Sequence, residues 1–241
     1  MTVISRYVRI GLSALATLLP LTAASTAPPA PDHTAPDYTA PDYTRAEAAV
    51  LAALNAARAN PQAYVHDLTA YRQQFTGRLV KLPASRITYV TREGTAPIDE
   101  AVSYLATVES RPALQAAPLL AEAASDHVAE QSQSGRTGHY SANGASPGQR
   151  AMRRGGGRMV TEVISYGAFN PADVIRQFIV DDGVADRGHR SAVFARHLRY
   201  AGVACGPHPS FRTICVIDMA ETPDGREPAD VRPTMLASIA R

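Results

Sequence analysis

Two largely apolar segments stand near the end of this chain, residues 200–205 and 211–220, joined around Pro207-His208-Pro209-Ser210. Runs of this kind on either side of a Pro-rich turn read as two antiparallel strands of one hairpin. Centred near Ser210, that hairpin sets Cys205 opposite Cys215. Cross-strand neighbours lie within disulfide reach, so the two cysteines of the chain are expected to form one clip. Whatever precedes the hairpin must supply the rest of a small sheet and the layers that cover it.

What precedes it is mostly helix signals. Thr44 with Glu47 forms a capping-box pattern, followed by Val50, Leu51 and Leu54 on one stripe. Asn60-Pro61 stops that helix and caps the next, in which Tyr64, Leu68, Tyr71 and Phe75 recur at helical spacing until Gly77. Residues 78–94 are ambiguous, with 87–90 either a short strand or an extended loop. Pro97 opens a third helix with Ile98, Ala101, Val102, Leu105 and Val108 inward. Pro118 opens a fourth, whose apolar face includes His127. A lone histidine there reads as a satisfied core residue. Ser146-Pro147-Gly148-Gln149 is a second capping box, and Asn170-Pro171 starts a further helix with Val174, Ile175, Phe178 and Ile179 on one side. Five or six helices with three or four late strands make an α+β fold with a small antiparallel sheet covered by helices.

One strand carries a chemical anomaly. Residues 159–166 are β-branched and aromatic, yet Glu162 lies on the same face as Val160, Ile164 and Tyr166 by the period of two. A carboxylate on an apolar face costs several kcal/mol unless it is paired or hydrogen-bonded. Glu162 is therefore expected to have partners. Two histidines stand in polar, glycine-punctuated loops: His139 within residues 135–144, and His189 within 181–190. The second loop packs three carboxylates, two arginines and two glycines around its histidine, directly after an apolar helix.

The N-terminal fifth of the chain has another character. Arg6 and Arg9 precede an apolar stretch from 10 to 21, and Thr22-Ala23-Ala24 offers a small-residue cleavage site. Residues 1–24 read as a secretory signal peptide, since the apolar run from 10 to 21 is short of the roughly 20 residues a membrane span needs. Residues 25–45 are a Pro- and Ala-rich linker with repeats of Ala-Pro-Asp-Tyr-Thr type. Residues 222–241 read as a polar tail. With 24 Lys+Arg against 22 Asp+Glu, the chain lacks the clustered basic face that nucleic acid requires. No dinucleotide fingerprint, P-loop, HExxH, CxxC or GxSxG elbow is present.

The segments "LNAARANP", "AASDHVAEQSQSGRTGHYSANGASPGQRA", "TEVISYG", "DDGVADRGHR" and "YAGVACGPH…CVIDMA" occur in one order. Together they resemble a CAP-superfamily domain of the bacterial secreted kind (the cysteine-rich secretory, antigen-five and pathogenesis-related proteins), over residues 46–221. The resemblance implies a three-layer α-β-α sandwich with a cleft holding two histidines and acidic residues. His139 matches the first family histidine, Glu162 the glutamate, and His189 the histidine of the Gly-His-Arg motif. Here Glu162 is followed by Val163 where the family usually has asparagine. The second acid is matched most nearly by Asp181, with Asp182 next. Two neutral imidazoles, His139 and His189, beside a carboxylate suit zinc or another divalent metal.

The implied protein is exported, either free or held at the cell envelope. Its leading role is a non-enzymatic module that binds a lipid, a glycan or an extracellular protein. The runner-up is a metal-dependent hydrolase with Glu162 as general base. A Ser-His-acid hydrolase using Ser141 or Ser191 ranks last, because nothing in the sequence sets either hydroxyl beside an imidazole.

Overall fold

A computed structural model describes residues 42–81, 88–168 and 170–228. The signal-peptide reading, most of the linker and most of the tail lie outside the described residues. The first helix, α1 (Tyr43–Ala59), starts two residues earlier than the Thr44 pattern indicates. Asp42 is its N-cap and accepts from the Arg45 amide. Glu47 is consequently free of capping duty, and its carboxylate accepts instead from the Cys205 amide at 2.9 Å. A sequence pattern at a helix start was overridden by a tertiary contact.

Asn60 and Pro61 open a short 3-10 turn that leads into α2 (Tyr64–Arg72). Three short antiparallel strands follow, β1 (Phe75–Thr76), β2 (Leu79–Lys81) and β3 (Thr88–Val90). Phe75, expected on the helix, lies in β1 instead. Then come α3 (Ala96–Thr107), β4 (Gln115–Ala116), α4 (Pro118–Ser134), α5 (Pro147–Arg153) and β5 (Thr161–Tyr166). The chain closes with α6 (Pro171–Val180), α7 (Gly188–Val193), β6 (Tyr200–His208) and β7 (Arg212–Ala220).

The main sheet runs β4-β6-β7-β5. It is antiparallel except at one edge, where two-residue β4 pairs with β6 in parallel. That parallel edge departs from the purely antiparallel expectation, and so brief a pairing leaves no periodicity to read. Cys205 and Cys215 are register partners and form a disulfide.

Alternation along the strands divides the molecule into three layers. Val163, Val203, Cys205, Cys215, Ile217 and Met219 pack with α1, α3, α6 and α7. Their neighbours Ile164, Ala204, Ile214 and Val216 pack with Ala124 and Val128 of α4. This is an α+β sandwich with helices on both faces of the sheet. Contact with α4 is close enough to demand glycine, since a Cβ on Gly202 would lie 1.9 Å from the Ala121 amide nitrogen. The helices of the first face share that core from Val50 in α1 onward, so the early helices belong to the same body as the sheet.

Buried arginines stitch the loops to this frame. Arg58 donates to the carbonyls of Pro112, Val193 and Leu198 at 3.2, 2.5 and 3.2 Å. Burial pulls its pKa down to about 10, which leaves it charged at neutral pH. Each bond satisfies a carbonyl that the interior would otherwise strand.

Candidate functional site

Glu162 occupies the second position of β5, on the face covered by α4 and α5. Its side chain is 1 % exposed. One carboxylate oxygen accepts from His139 Nδ1 at 2.9 Å, and the other accepts from the Arg150 guanidinium. The partners required by its burial are thus present. Arg150 reaches it because the Ser146–Gln149 capping box, intact as expected, starts α5 directly after the histidine loop. The same guanidinium donates to the carbonyls of His139 and Ala145 at 3.0 and 3.3 Å. It therefore holds both the loop and the acid.

The loop is also pinned one residue earlier. The Gly138 amide donates to the Tyr166 hydroxyl at 2.9 Å. The Gly138 carbonyl accepts from His127 Nε2 at 2.8 Å and from Gln131 Nε2 at 2.7 Å. Gly138 sits at φ +102, where a side chain would be strained. His127 is fully buried as expected of a core histidine, and burial lowers its pKa. It is nevertheless tied to the site as a support for the His139 loop.

The second half is built from a helix end and a loop. Asp181 is the left-handed C-cap of α6, and its carboxylate is buried. It accepts from His189 Nδ1 at 2.6 Å, from the His189 amide at 2.9 Å and from the Arg190 amide at 3.4 Å. Arg190 is buried and returns bonds to the carbonyls of Ile179, Val180 and Pro97 at 2.6, 3.0 and 3.0 Å. Arg187 braces the outside of the loop through Glu93 and Glu100. The Arg187 guanidinium, with the Gly183 amide, pushes the Glu93 pKa down to about 2.

Asp182 does not join the cleft. Its two oxygens accept from the amides of Arg92 and Glu93, both at 2.8 Å. Asp181 is therefore the acid bonded to His189, and Asp182 docks the loop onto the segment before α3. The third pair of candidates, Ser141 and Ser191, is also placed elsewhere. Ser141 is buried and bonded to Glu130, while Ser191 is exposed on α7. No described hydrogen bond links either to His139 or His189.

The two imidazoles face one another with ring centroids 6.3 Å apart and planes tilted by 36°. Phe178 packs against the His189 ring at 5.8 Å. The His139 and His189 side chains are 43 % and 25 % exposed. An ionised carboxylate only accepts, so each Nδ1 carries the proton of its bond and each neutral ring leaves Nε2 as an acceptor. No described residue occupies either Nε2. Metal-binding histidines are commonly oriented this way, but a protein zinc site takes three or four side-chain ligands. Among the described residues, no group of three or more His, Cys, Asp or Glu side chains gathers as a metal would need. The Glu162 and Asp181 side chains are only 1 % and 2 % exposed, behind their histidines, so the donor set the cleft presents to an ion is the imidazole pair. That pair does not fit a catalytic zinc site of the usual ligand count.

Sequence reading missed the residues behind His139. Arg150 was legible only as an arginine on the inward side of a short helix. Asp218 sits inside the apolar run "CVIDMA", the same kind of anomaly that singled out Glu162.

Comparison with known proteins bears on the segment that holds these residues. The model of the CAP group, described as the cysteine-rich secretory protein family, matches residues 108–219. No curated protein matches the chain. Two solved structures are similar. An outer surface protein of Borrelia burgdorferi is 15 % identical, with 44 % of this chain and 75 % of that one covered at a TM-score of 0.37. An extracellular protein containing an SCP domain from Bacillus anthracis is 16 % identical, with 46 % of this chain and 35 % of that one covered at a TM-score of 0.37. Among the described residues no helix is long and apolar enough to cross a membrane. His139, Glu162, Asp181 and His189 all fall inside the segment, residues 108–219, that the model of the cysteine-rich secretory protein family matches.

Proposed function

We propose that this protein is a non-enzymatic, exported binding module that takes a hydroxyl-rich ligand, a cell-envelope glycan, in the cleft between His139 and His189. The observation that carries the reading is the pair of imidazoles, each anchored through Nδ1 by its own carboxylate, with ring centroids 6.3 Å apart. Two fixed, partly exposed acceptors side by side match the paired hydroxyl donors of a sugar ring. Tyr140, 65 % exposed and next to His139 in sequence, adds an amphipathic ring with an apolar body and a polar tip. Export rests on the residue 1–24 signal and on the family.

Hydrolysis is the weaker reading for two reasons of geometry. A general base must come within hydrogen-bond reach of the proton it takes, and the Glu162 side chain is 1 % exposed, with its oxygens turned to His139 and Arg150. A nucleophile needs an imidazole within hydrogen-bond reach, and neither candidate serine has one among the described contacts.

The test replaces each histidine by asparagine. Asn keeps a donor near the Nδ1 position, which preserves the carboxylate bond, and deletes Nε2. Binding to soluble peptidoglycan fragments is expected to fall at least tenfold in His139→Asn and in His189→Asn, with the fold intact. Equal binding by wild type and both variants refutes the cleft as the binding site. Zinc is tested alongside by thermal unfolding. A native-state ligand at 100 times its dissociation constant adds about 2.7 kcal/mol, or roughly 2–4 °C. A rise of that size, lost in both variants, would restore the metal-dependent reading.

A further inference from the structure

Beside Glu162, on the neighbouring strand of the same sheet, lies an acid that the cleft does not use. Asp218 of β7 is the register partner of Glu162 on one side and of Gly202 on the other. It is 0 % exposed. Neither of its oxygens accepts from any N–H or O–H of the described residues. An ionised carboxylate stranded in this way would be prohibitively costly.

We propose that Asp218 is a positioning residue: a neutral carboxylic acid that donates a hydrogen bond to the Glu162 carboxylate and so fixes the acceptor from which His139 hangs. Two carboxyl groups can bond only when one of them carries the proton. As register partners on adjacent antiparallel strands, Glu162 and Asp218 point to the same face of the sheet, where cross-strand Cβ atoms lie about 4.5–5.5 Å apart, so Glu162 is the acceptor within reach of Asp218. The surrounding charges favour a neutral Asp218. Glu162 on β5 repels a second negative charge, and among the described residues Arg150 on α5 is the cation opposing it. Arg150 has already spent its terminal nitrogens on Glu162 and two carbonyls, and its Nε has no partner among the described residues. An ionised Asp218 would be the natural acceptor for that Nε–H. On α4 the buried titratable neighbour of the site is His127, held neutral by burial, and β6 contributes only Gly202 opposite. Burial and the Glu162 charge together raise the Asp218 pKa well above the carboxylate range.

The arrangement gives Glu162 donors from three directions, His139, Arg150 and Asp218. Its carboxylate cannot rotate without breaking one of them, and the His139 ring plane follows. The inference concerns how the cleft is supported and holds for whichever ligand the cleft takes.

Infrared difference spectroscopy of the purified protein in heavy water at neutral pH tests it. A neutral carboxylic acid has a carbonyl stretch separated from the carboxylate bands. Wild type is expected to show that band with the intensity of one group, and Asp218→Asn is expected to lack it. A wild type without the band, or a variant that keeps it, overturns the proposal. The positioning role is read from the His139 Nδ1–H proton resonance. Asp218→Asn retains a donor toward Glu162 and should retain the resonance. Asp218→Leu, of similar size with no donor, should broaden or lose it. An unchanged resonance in Asp218→Leu also overturns the proposal. Should Asp218→Leu fail to fold, the infrared result on Asp218→Asn decides.

Discussion

His139 and His189 are held alike at the ring and differently behind it. Each Nδ1 donates to a buried carboxylate, but the two carboxylates depend on separate kinds of structure. Asp181 is eight residues from its histidine, at the end of α6, and its other acceptor sites are filled by the backbone amides of His189 and Arg190. That half is a local device, closed within one loop. Glu162 is 23 residues from its histidine, on the edge strand β5 of the sheet, and its support comes from α5 and the neighbouring strand. That half exists only once β5, β7 and α5 have assembled. The contrast teaches that one cleft can combine a wall specified by short-range sequence with a wall specified by tertiary structure.

The largest effect expected is on the assembled half. Arg150→Met leaves Glu162 short of a charged partner inside the protein and frees two loop carbonyls. Breaking a buried pair in this way costs about 3–5 kcal/mol, to be read from urea denaturation. Asp181→Ala attacks the local half and strands two backbone amides and one imidazole N–H. Unsatisfied buried donors cost about 1–3 kcal/mol, so the loss should be smaller than for Arg150→Met. The reverse order would show that the loop, not the sheet, carries the cleft.

The third effect sharpens the comparison through pH. An acid whose folded pKa is raised contributes stability at low pH that is lost as pH rises through the folded value. Wild type should therefore lose stability relative to Asp218→Asn from about pH 4 upward, by at most about 1.4 kcal/mol per pH unit. The difference between the two pH profiles isolates this group from the other carboxylates. A profile difference that is flat from pH 4 to pH 8 would mean that Asp218 ionises normally.

The same contrast explains what was legible in the sequence. The α6 stripe, the Ser146 capping box, the Cys205–Cys215 clip and the Asp181–His189 neighbourhood all depend on short separations or on one hairpin. Glu162 was legible as a problem, because its face is apolar, but its solution was not, since Arg150 is brought to it only by the fold. The Thr44–Glu47 pattern failed for the complementary reason. Asp42 stood free to cap the helix, and the open edge of β6 at Cys205 needed an acceptor. Asp182 carried the right chemistry beside the right histidine, and only the docking of residues 92–93 turned it away. The two-residue parallel strand β4 has no sequence period at all.

The central claim is that the two Nε2 atoms form one ligand-binding pair while the two Nδ1 atoms stay on their carboxylates. Nitrogen-15 NMR of the histidine rings during titration with soluble peptidoglycan fragments measures this directly. The account predicts that the Nε2 signals of His139 and His189 shift together with one saturation curve, while both Nδ1 signals hold. Saturable binding that moves neither Nε2, or that displaces the Nδ1 signals, would contradict it.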